Sequence, residues 1–222
     1  IMVHSTGANN PNLKRYVGPD DGLLGENQYN NHWNQPMDRK VCCHAFIGKL
    51  ADGTIATYQT LPWDHRGWHG ASGKKGSCND THIGFEICED GLTDATYFKK
   101  VYQEAVEFTA YICKLYNLDP MKDGVVIDHK EGHARGIATN HGDVGHWFPK
   151  HGKSMDTFRA DVKALLSGSA KPTETPKEEA PKVEASEVIY RVQVGAFSQK
   201  ANAERMVAEL RAKGYQAYTV KA

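Results

Sequence analysis

Four of the eleven histidines fall in one stretch, residues 125–148, which also contains two aspartates and one glutamate. Imidazole nitrogens and carboxylate oxygens are ligands of zinc in proteins, and a catalytic zinc site keeps one position open for water. A stretch this rich in both groups predicts a metal site. A further histidine, His4, stands near the front of the chain after Ile1-Met2-Val3.

Both segments resemble strands that carry a histidine to the edge of a sheet. The apolar run Val125-Val126-Ile127 precedes Asp128-His129, as residues 1–3 precede His4. A buried strand ends where the sheet meets its loops, and sites are usually built on such loops. We therefore expect His4 and His129 to face one metal ion.

The third metal ligand should come from the segment after His129, where spacing alone leaves several candidates open. They are Glu131, His133, His141, Asp143 and His146. Gly132 and Gly136 favour a shaped loop over a helix, because glycine is a poor helix former. His129 and His133 are therefore not expected to share a metal from one helix face.

Glu86 is the acid of a second strand-like segment, residues 81–90. Ile83, Phe85 and Ile87 alternate there with Gly84, Glu86 and Cys88, so the glutamate lies on the face opposite to the apolar side chains. Such a carboxylate is either a solvated or salt-bridged strand residue, or a general base near a metal. The chemistry of the residue leaves both readings open.

The remaining pattern predicts an α/β domain with a mixed central sheet flanked by helices. Residues 44–50 and 54–60 form a predicted hairpin around Asp52-Gly53. Apolar residues at spacings of three and four predict an amphipathic helix over 95–117 and a closing helix over 155–166. Strands that alternate with helices in this way are typical of α/β domains.

The composition changes after residue 166. Residues 167–187 contain three prolines, five glutamates and three lysines, which predicts a disordered linker. Residues 188–222 then read as strand, helix and strand, a small and truncated α+β module. A unit of this size is small for an independent core.

Bulk properties exclude several classes of protein. The 27 basic and 27 acidic residues balance, so no nucleic-acid partner is indicated. No apolar run approaches the roughly 20 residues that span a bilayer. The five cysteines show no paired spacing for a zinc site or a disulfide framework. No signal peptide is visible, and the start inside a strand suggests a truncated N-terminus.

Several motifs in order resemble the zinc-dependent N-acetylmuramoyl-L-alanine amidases, the type 2 family that includes the peptidoglycan-recognition proteins. The lysin-like bacterial and phage members are the most similar. The resemblance covers residues 1–166. It rests on Met2-Val3-His4-Ser5, His44-Ala45-Phe46-Ile47, Asp52-Gly53-Thr54-Ile55, Gly67-Trp68-His69-Gly70, Asn79 to Glu86, Asp128-His129 and Asp143 to Phe148.

The resemblance implies a zinc ion on His4, His129 and Asp143, with Glu86 as the catalytic acid–base group. In the family a basic residue, usually lysine, stands two positions before the third ligand and supports the oxyanion. His141 occupies that position here, and a neutral imidazole can donate a hydrogen bond without a permanent charge. His133 and His146 stay open as replacements for Asp143.

The implied activity is hydrolysis of the amide bond between N-acetylmuramic acid and L-alanine of peptidoglycan. The expected protein is a monomeric endolysin or autolysin, either extracellular and wall-bound or phage-encoded. A peptidoglycan-binding protein without activity and a zinc peptidase acting within the stem peptide are the alternatives. The residues expected to contact substrate are Trp63, Trp68, His69, His146 and Trp147, with Trp33 and Phe148 completing the groove.

Residues 190–220 resemble the SPOR repeat, a module that binds glycan strands stripped of stem peptides. The resemblance covers about half of a module. We therefore expect a partial module that is marginally stable and adds little binding.

Overall fold

The computed structural model describes residues 1–36, 38, 40–168, 204, 207, 208 and 211. Chain contacts divide the protein into two units, Ile1–Glu174 and Thr175–Ala222. The predicted linker and partial module lie almost wholly outside the described residues. Among those residues, no helix is both long enough and apolar enough to cross a membrane.

The predicted mixed sheet is confirmed and has five strands in the order β3-β2-β4-β1-β5. The strands are β1 (Met2–Ser5), β2 (Ala45–Lys49), β3 (Ile55–Gln59), β4 (Gly84–Ile87) and β5 (Ile127–Asp128). β2 and β3 form the predicted antiparallel hairpin, whereas β1 runs parallel to both β4 and β5. Gly53 takes a φ of 84° in the hairpin turn, a conformation that glycine adopts without a steric penalty.

The register of the central strands brings two predicted site residues together. His4 of β1 is paired with Glu86 of β4, and paired residues of neighbouring strands project from the same face. On the other side of β1, Val3 is paired with Asp128, the last residue of β5. His129 follows directly, so the two predicted histidine ligands leave adjacent strands at one edge of the sheet.

Two long helices cover the other face of the sheet. They are α1 (Ala95–Leu115) and α3 (Met155–Leu166), close to the predicted bounds. Asp94 caps α1 by accepting hydrogen bonds from the backbone N–H groups of Thr96 and Tyr97. The main core lies between these helices and the sheet, where Val3 and Phe85 are fully buried.

The expectation of a loop after His129 is wrong, because a short helix, α2, runs over His129–Ala134. A capping box starts this helix: the Asp128 side chain accepts from the Glu131 N–H, and the Glu131 side chain accepts from the Asp128 N–H. Gly132 lies where this helix comes close to β1. A Cβ at Gly132 would lie 2.5 Å from Cε of Met2 in β1, so a larger residue would require the Met2 side chain to move.

The long irregular segment before β2 covers part of the sheet face that carries His4. Its one helical turn is a 3₁₀ helix, Leu13–Arg15. Seven buried residues form a second apolar cluster there: Leu13, Tyr16, Val17, Leu24, Cys43, Phe46 and Cys88. All five cysteines are free. The second apolar cluster therefore lies next to the part of the sheet that carries Glu86, because Phe46 is paired with Glu86.

Candidate metal centre and active site

The side chains of His4, His129 and Asp143 converge near the carboxyl ends of β1 and β5. Nδ1 of His4 lies 3.1 Å from Oδ2 of Asp143, and Nδ1 of His129 lies 2.8 Å from the same oxygen. The two Nδ1 atoms are 3.2 Å apart. Zinc bonds of about 2.0–2.1 Å in a tetrahedron separate ligand atoms by roughly 3.3 Å. The spacing of these three donor atoms therefore fits a small tetrahedral metal ion.

Two of the three donor groups, His4 and Asp143, also favour the protonation state that metal binding requires. His4 is only 1% exposed, and burial lowers its pKa below the ordinary value. Burial alone would raise the pKa of Asp143, but the closeness of its carboxylate to the ring nitrogens of His129 and His4 holds that pKa well below its usual range. Metals bind carboxylates and neutral imidazoles, so the pKa shifts of His4 and Asp143 both favour the form that acts as a ligand.

Asp143 reaches the two histidines from an unusual backbone conformation. Its φ is 37°, in the left-handed region, where aspartate is tolerated better than most residues. It opens a 3₁₀ helix, Asp143–His146, whose buried residue Val144 belongs to the main core. Strained backbone of this kind persists where the surrounding structure holds it, and it is common at functional sites.

Each histidine of the cluster uses its second ring nitrogen for a further hydrogen bond. Nε2 of His129 lies 3.2 Å from the Thr139 hydroxyl, and Nε2 of His4 lies 2.9 Å from Nδ1 of His69. Such outer contacts usually orient ligating histidines. Burial, and next the proximity of His4, lower the pKa of His69 to about 2, so its ring is neutral. His69, which the sequence predicts to contact substrate, is partly buried and contacts His4 through its Nδ1 atom.

Glu86 lies beside His4 with its Oε2 atom buried and without a hydrogen-bond partner among the described residues. Burial raises the pKa of this carboxyl well above its ordinary value, and the charges of Asp143 and Glu89 raise it further. The group can therefore hold a proton more readily than an exposed glutamate. The buried, unpartnered Oε2 does not fit a salt-bridged strand residue.

His141 lies at the exposed side of the cluster. Its ring is tilted by 30° against the ring of His129, with the two ring centroids 4.7 Å apart. Because the ring is exposed, it can meet a molecule that enters from solvent.

Residues 1–146 match the family of N-acetylmuramoyl-L-alanine amidases called Amidase_2. The chain belongs to this family. Residues 186–222 of the amidase match the SPOR domain, as the sequence indicated. A search of curated proteins gave no match.

Two solved structures resemble the amidase in fold. The first is the Staphylococcus aureus hydrolase AmiA in complex with its ligand, with a TM-score of 0.55 and 22% sequence identity. That match covers 78% of this chain and 76% of the AmiA chain. A mutant structure of PlyL has a TM-score of 0.48 and 18% identity, over 74% of this chain and 83% of that one. The AmiA likeness confirms the predicted α/β fold.

The prediction that Trp147 and Phe148 line a substrate groove is wrong. Trp147 has no exposed surface and Phe148 has 1%. Trp147 stacks on Tyr97 and meets Phe98 edge-on, both in α1, so it belongs to the core of the amidase. A wholly buried side chain cannot contact a substrate that binds at the surface.

Two of the other three tryptophans also pack against the apolar clusters. Trp63 is partly buried against Phe108 of α1 beside the main core, and the partly buried Trp33 meets the Phe46 ring edge-on beside the second cluster. Trp68 differs, because 45% of its surface is exposed. It is next to His69 in the chain, so it is the tryptophan best placed to meet a substrate.

The two histidines left open as replacement ligands do not join the cluster. Nε2 of His146 pairs with the buried Glu89 carboxylate at 3.0 Å, and Nδ1 of His133 lies 3.2 Å from the Ala138 carbonyl oxygen. His133 stands one helical turn after His129, yet α2 points it elsewhere. Of the candidates in this segment, Asp143 is the one brought to both histidines.

Proposed function

We propose that the chain is a zinc-dependent amidase that cleaves the bond between N-acetylmuramic acid and L-alanine in peptidoglycan. The observation that carries this proposal is the convergence of His4, His129 and Asp143, with donor atoms 2.8–3.2 Å apart, in a member of the amidase family. A zinc ion held there would polarise the scissile carbonyl group and lower the pKa of water toward about 7.

Glu86 supplies the proton transfer in this proposal. Its unpartnered Oε2 can accept a proton from the attacking water, and its raised pKa lets it hold that proton. The same carboxyl then gives the proton to the departing amine of L-alanine. One residue thus serves first as general base and then as general acid, a role that requires a carboxylate near the metal but not on it.

His141 supports the negative charge that develops on the carbonyl oxygen. Its exposed ring beside His129 can donate one N–H toward a substrate that lies over the cluster. Hydrogen-bond donors aimed at a developing oxyanion are among the strongest contributions to catalysis. The exposed ring of Trp68 offers an apolar surface for the same substrate.

The SPOR match supports a role for this activity at the cell wall. We infer from the two family matches together that peptidoglycan is both partner and substrate. A secreted or wall-associated protein follows from that pairing.

Product analysis tests the proposal directly. Purified peptidoglycan is digested with the zinc-loaded protein, and the released ends are identified by mass spectrometry. A new L-alanine amino terminus with intact glycan is the expected result. A different new amine would indicate a peptidase, and no new end would indicate a binding protein. Activity should vanish with a chelator and return with zinc, and full activity of metal-free protein would overturn the zinc role.

A further inference from the structure

His69 lies between a predicted metal ligand and a backbone carbonyl group. Its Nδ1 is 2.9 Å from Nε2 of His4, and its Nε2 is 3.1 Å from the carbonyl oxygen of His82. A carbonyl oxygen only accepts hydrogen bonds, so Nε2 of His69 carries the hydrogen. In a neutral ring, Nδ1 is then an acceptor, and the hydrogen in the contact with His4 belongs to His4.

The direction of these two hydrogen bonds determines which ring nitrogen of His4 carries a lone pair. If Nε2 of His4 donates to His69, then Nδ1 of His4 carries no hydrogen and presents a lone pair toward His129 and Asp143. A metal ligand needs that lone pair. The opposite arrangement would need a hydrogen on both nitrogens of the His69 ring, whose two ring contacts are with His4 and the His82 carbonyl oxygen and not with a carboxylate.

Asp143 makes this control of the proton necessary. Its Oδ2 is 3.1 Å from Nδ1 of His4, a distance at which a carboxylate attracts a hydrogen to that nitrogen. A hydrogen on Nδ1 would occupy the position that the metal needs. The contact with His69 opposes this. A neutral imidazole has one N–H hydrogen, and the hydrogen bond to Nδ1 of His69 holds that hydrogen on Nε2 of His4.

We propose that His69 is a positioning residue that keeps the hydrogen of His4 on Nε2 and so leaves Nδ1 free for the metal. This inference rests on the proposed zinc site and adds a residue to it. It replaces the expectation that His69 binds substrate.

The surroundings of His69 hold its ring in this orientation. A Cβ built on Gly84 would lie 2.5 Å from the His69 ring, so the ring packs directly on the backbone of β4. The buried Asn79 accepts the backbone N–H groups of His69 and Gly70 at 2.8 and 3.0 Å. The ring is therefore fixed from the sheet side and from its own loop.

The first test needs no metal. Nitrogen-15 NMR of the histidine rings in metal-free protein at pH 8 reports which nitrogen of His4 carries the hydrogen, with the signal assigned from a His4→Asn sample. The expected result is hydrogen on Nε2 in the wild type and a shift toward Nδ1 in His69→Leu. Hydrogen on Nδ1 in the wild type, or no change in His69→Leu, would overturn the proposal.

The second test measures zinc affinity by competition with a chelating dye. His69→Leu should bind zinc about 10- to 100-fold more weakly, the usual effect of losing an outer contact to a ligand. His69→Asn should stay close to wild type, because its amide oxygen can accept from His4 in place of Nδ1. The matched control is His82→Gln, which keeps the backbone carbonyl and should bind zinc normally.

Equal affinity of the wild type and His69→Leu would contradict the proposal, as would a defect in His69→Asn as large as in His69→Leu. If the wild type binds no zinc, the proposed function fails, whereas the NMR measurement still decides the role of His69. That measurement on wild-type protein also decides the question if His69→Leu does not fold.

Discussion

Replacing Asp128 by alanine should destabilise the unit that carries the site, because α2 starts at this residue. Oδ1 of Asp128 accepts the Glu131 N–H at 2.7 Å, and its own N–H donates to the Glu131 carboxylate at 3.2 Å. Arg159 donates to both oxygens of that carboxylate at 2.9–3.0 Å. Since Asp128 is 4% exposed, water cannot easily replace the lost acceptor.

The size of the effect follows from the single bond that is removed. Exchange of an N-cap residue for alanine costs about 0.5–2 kcal/mol. A buried donor left without an acceptor costs about 1–3 kcal/mol, and this describes the same bond, so the two values are not added. We expect the free energy of unfolding to fall by about 1–2 kcal/mol, which lowers the melting temperature by about 2–8 °C in a chain of this length.

Tryptophan fluorescence during thermal unfolding of metal-free protein is the suitable assay. All four tryptophans lie in the first unit, at positions 33, 63, 68 and 147, so the signal reports on that unit. Asp128→Asn should melt near the wild type, because asparagine caps helices equally well. Asp156→Ala should also have little effect, because that aspartate pairs with Arg159 at the exposed surface. An unchanged melting temperature in Asp128→Ala would refute the reasoning.

Three further predictions concern the site. Glu86→Gln should keep one zinc ion per chain by elemental analysis yet lose turnover by about 100-fold or more; loss of zinc would mean that Glu86 is a ligand. Asp143→Ala should lose zinc while His146→Ala retains it, and the reverse pattern would transfer the ligand role to His146. Gly84→Ala should lower the free energy of unfolding by about 1–3 kcal/mol, since its Cβ would lie 2.5 Å from the His69 ring. The same change in a His69→Ala background should cost much less, and equal costs would show that the ring is not the obstacle.

The sheet and the two long helices could be predicted because their periodicities are strong. Asp52-Gly53 between two strand-like runs indicated the hairpin, alternation over two residues indicated β4, and spacings of three and four indicated α1 and α3. The observed bounds lie within a few residues of the predicted ones. Histidines at the ends of apolar runs indicated the metal site, since strand ends gather at one edge of a sheet.

The helix α2 was missed because glycine was weighed by its intrinsic helix propensity alone. Gly132 costs about 1 kcal/mol relative to alanine in a helix. The capping bonds between Asp128 and Glu131 and the packing against Met2 favour the helix. The spacing of an aspartate three residues before a glutamate was a visible signal of such a cap. The contact with Met2 was not visible, because it joins distant parts of the chain.

The roles of the aromatic residues could not be predicted from their types. Tryptophan serves equally well in a core and on a sugar-binding surface, since its ring is both large and apolar. Trp63 and Trp68 stand five residues apart in one predicted loop, yet one packs on α1 and the other is exposed. Whether a tryptophan here packs on α1 or is exposed depends on how the folded chain places it, which the sequence pattern does not reveal.

The burial of Trp147 and Phe148 gives this pair a role that substrate contact would not. Asp143 must hold a left-handed backbone conformation and keep its carboxylate 2.8 Å from His129. The four residues after it include the fully buried Val144 and Trp147, and the Trp147 N–H donates to the Val144 carbonyl. Displacing Asp143 would therefore require these side chains to leave a close-packed core, which costs several kcal/mol. Val144 and Trp147 thus hold the Asp143 carboxylate beside His129.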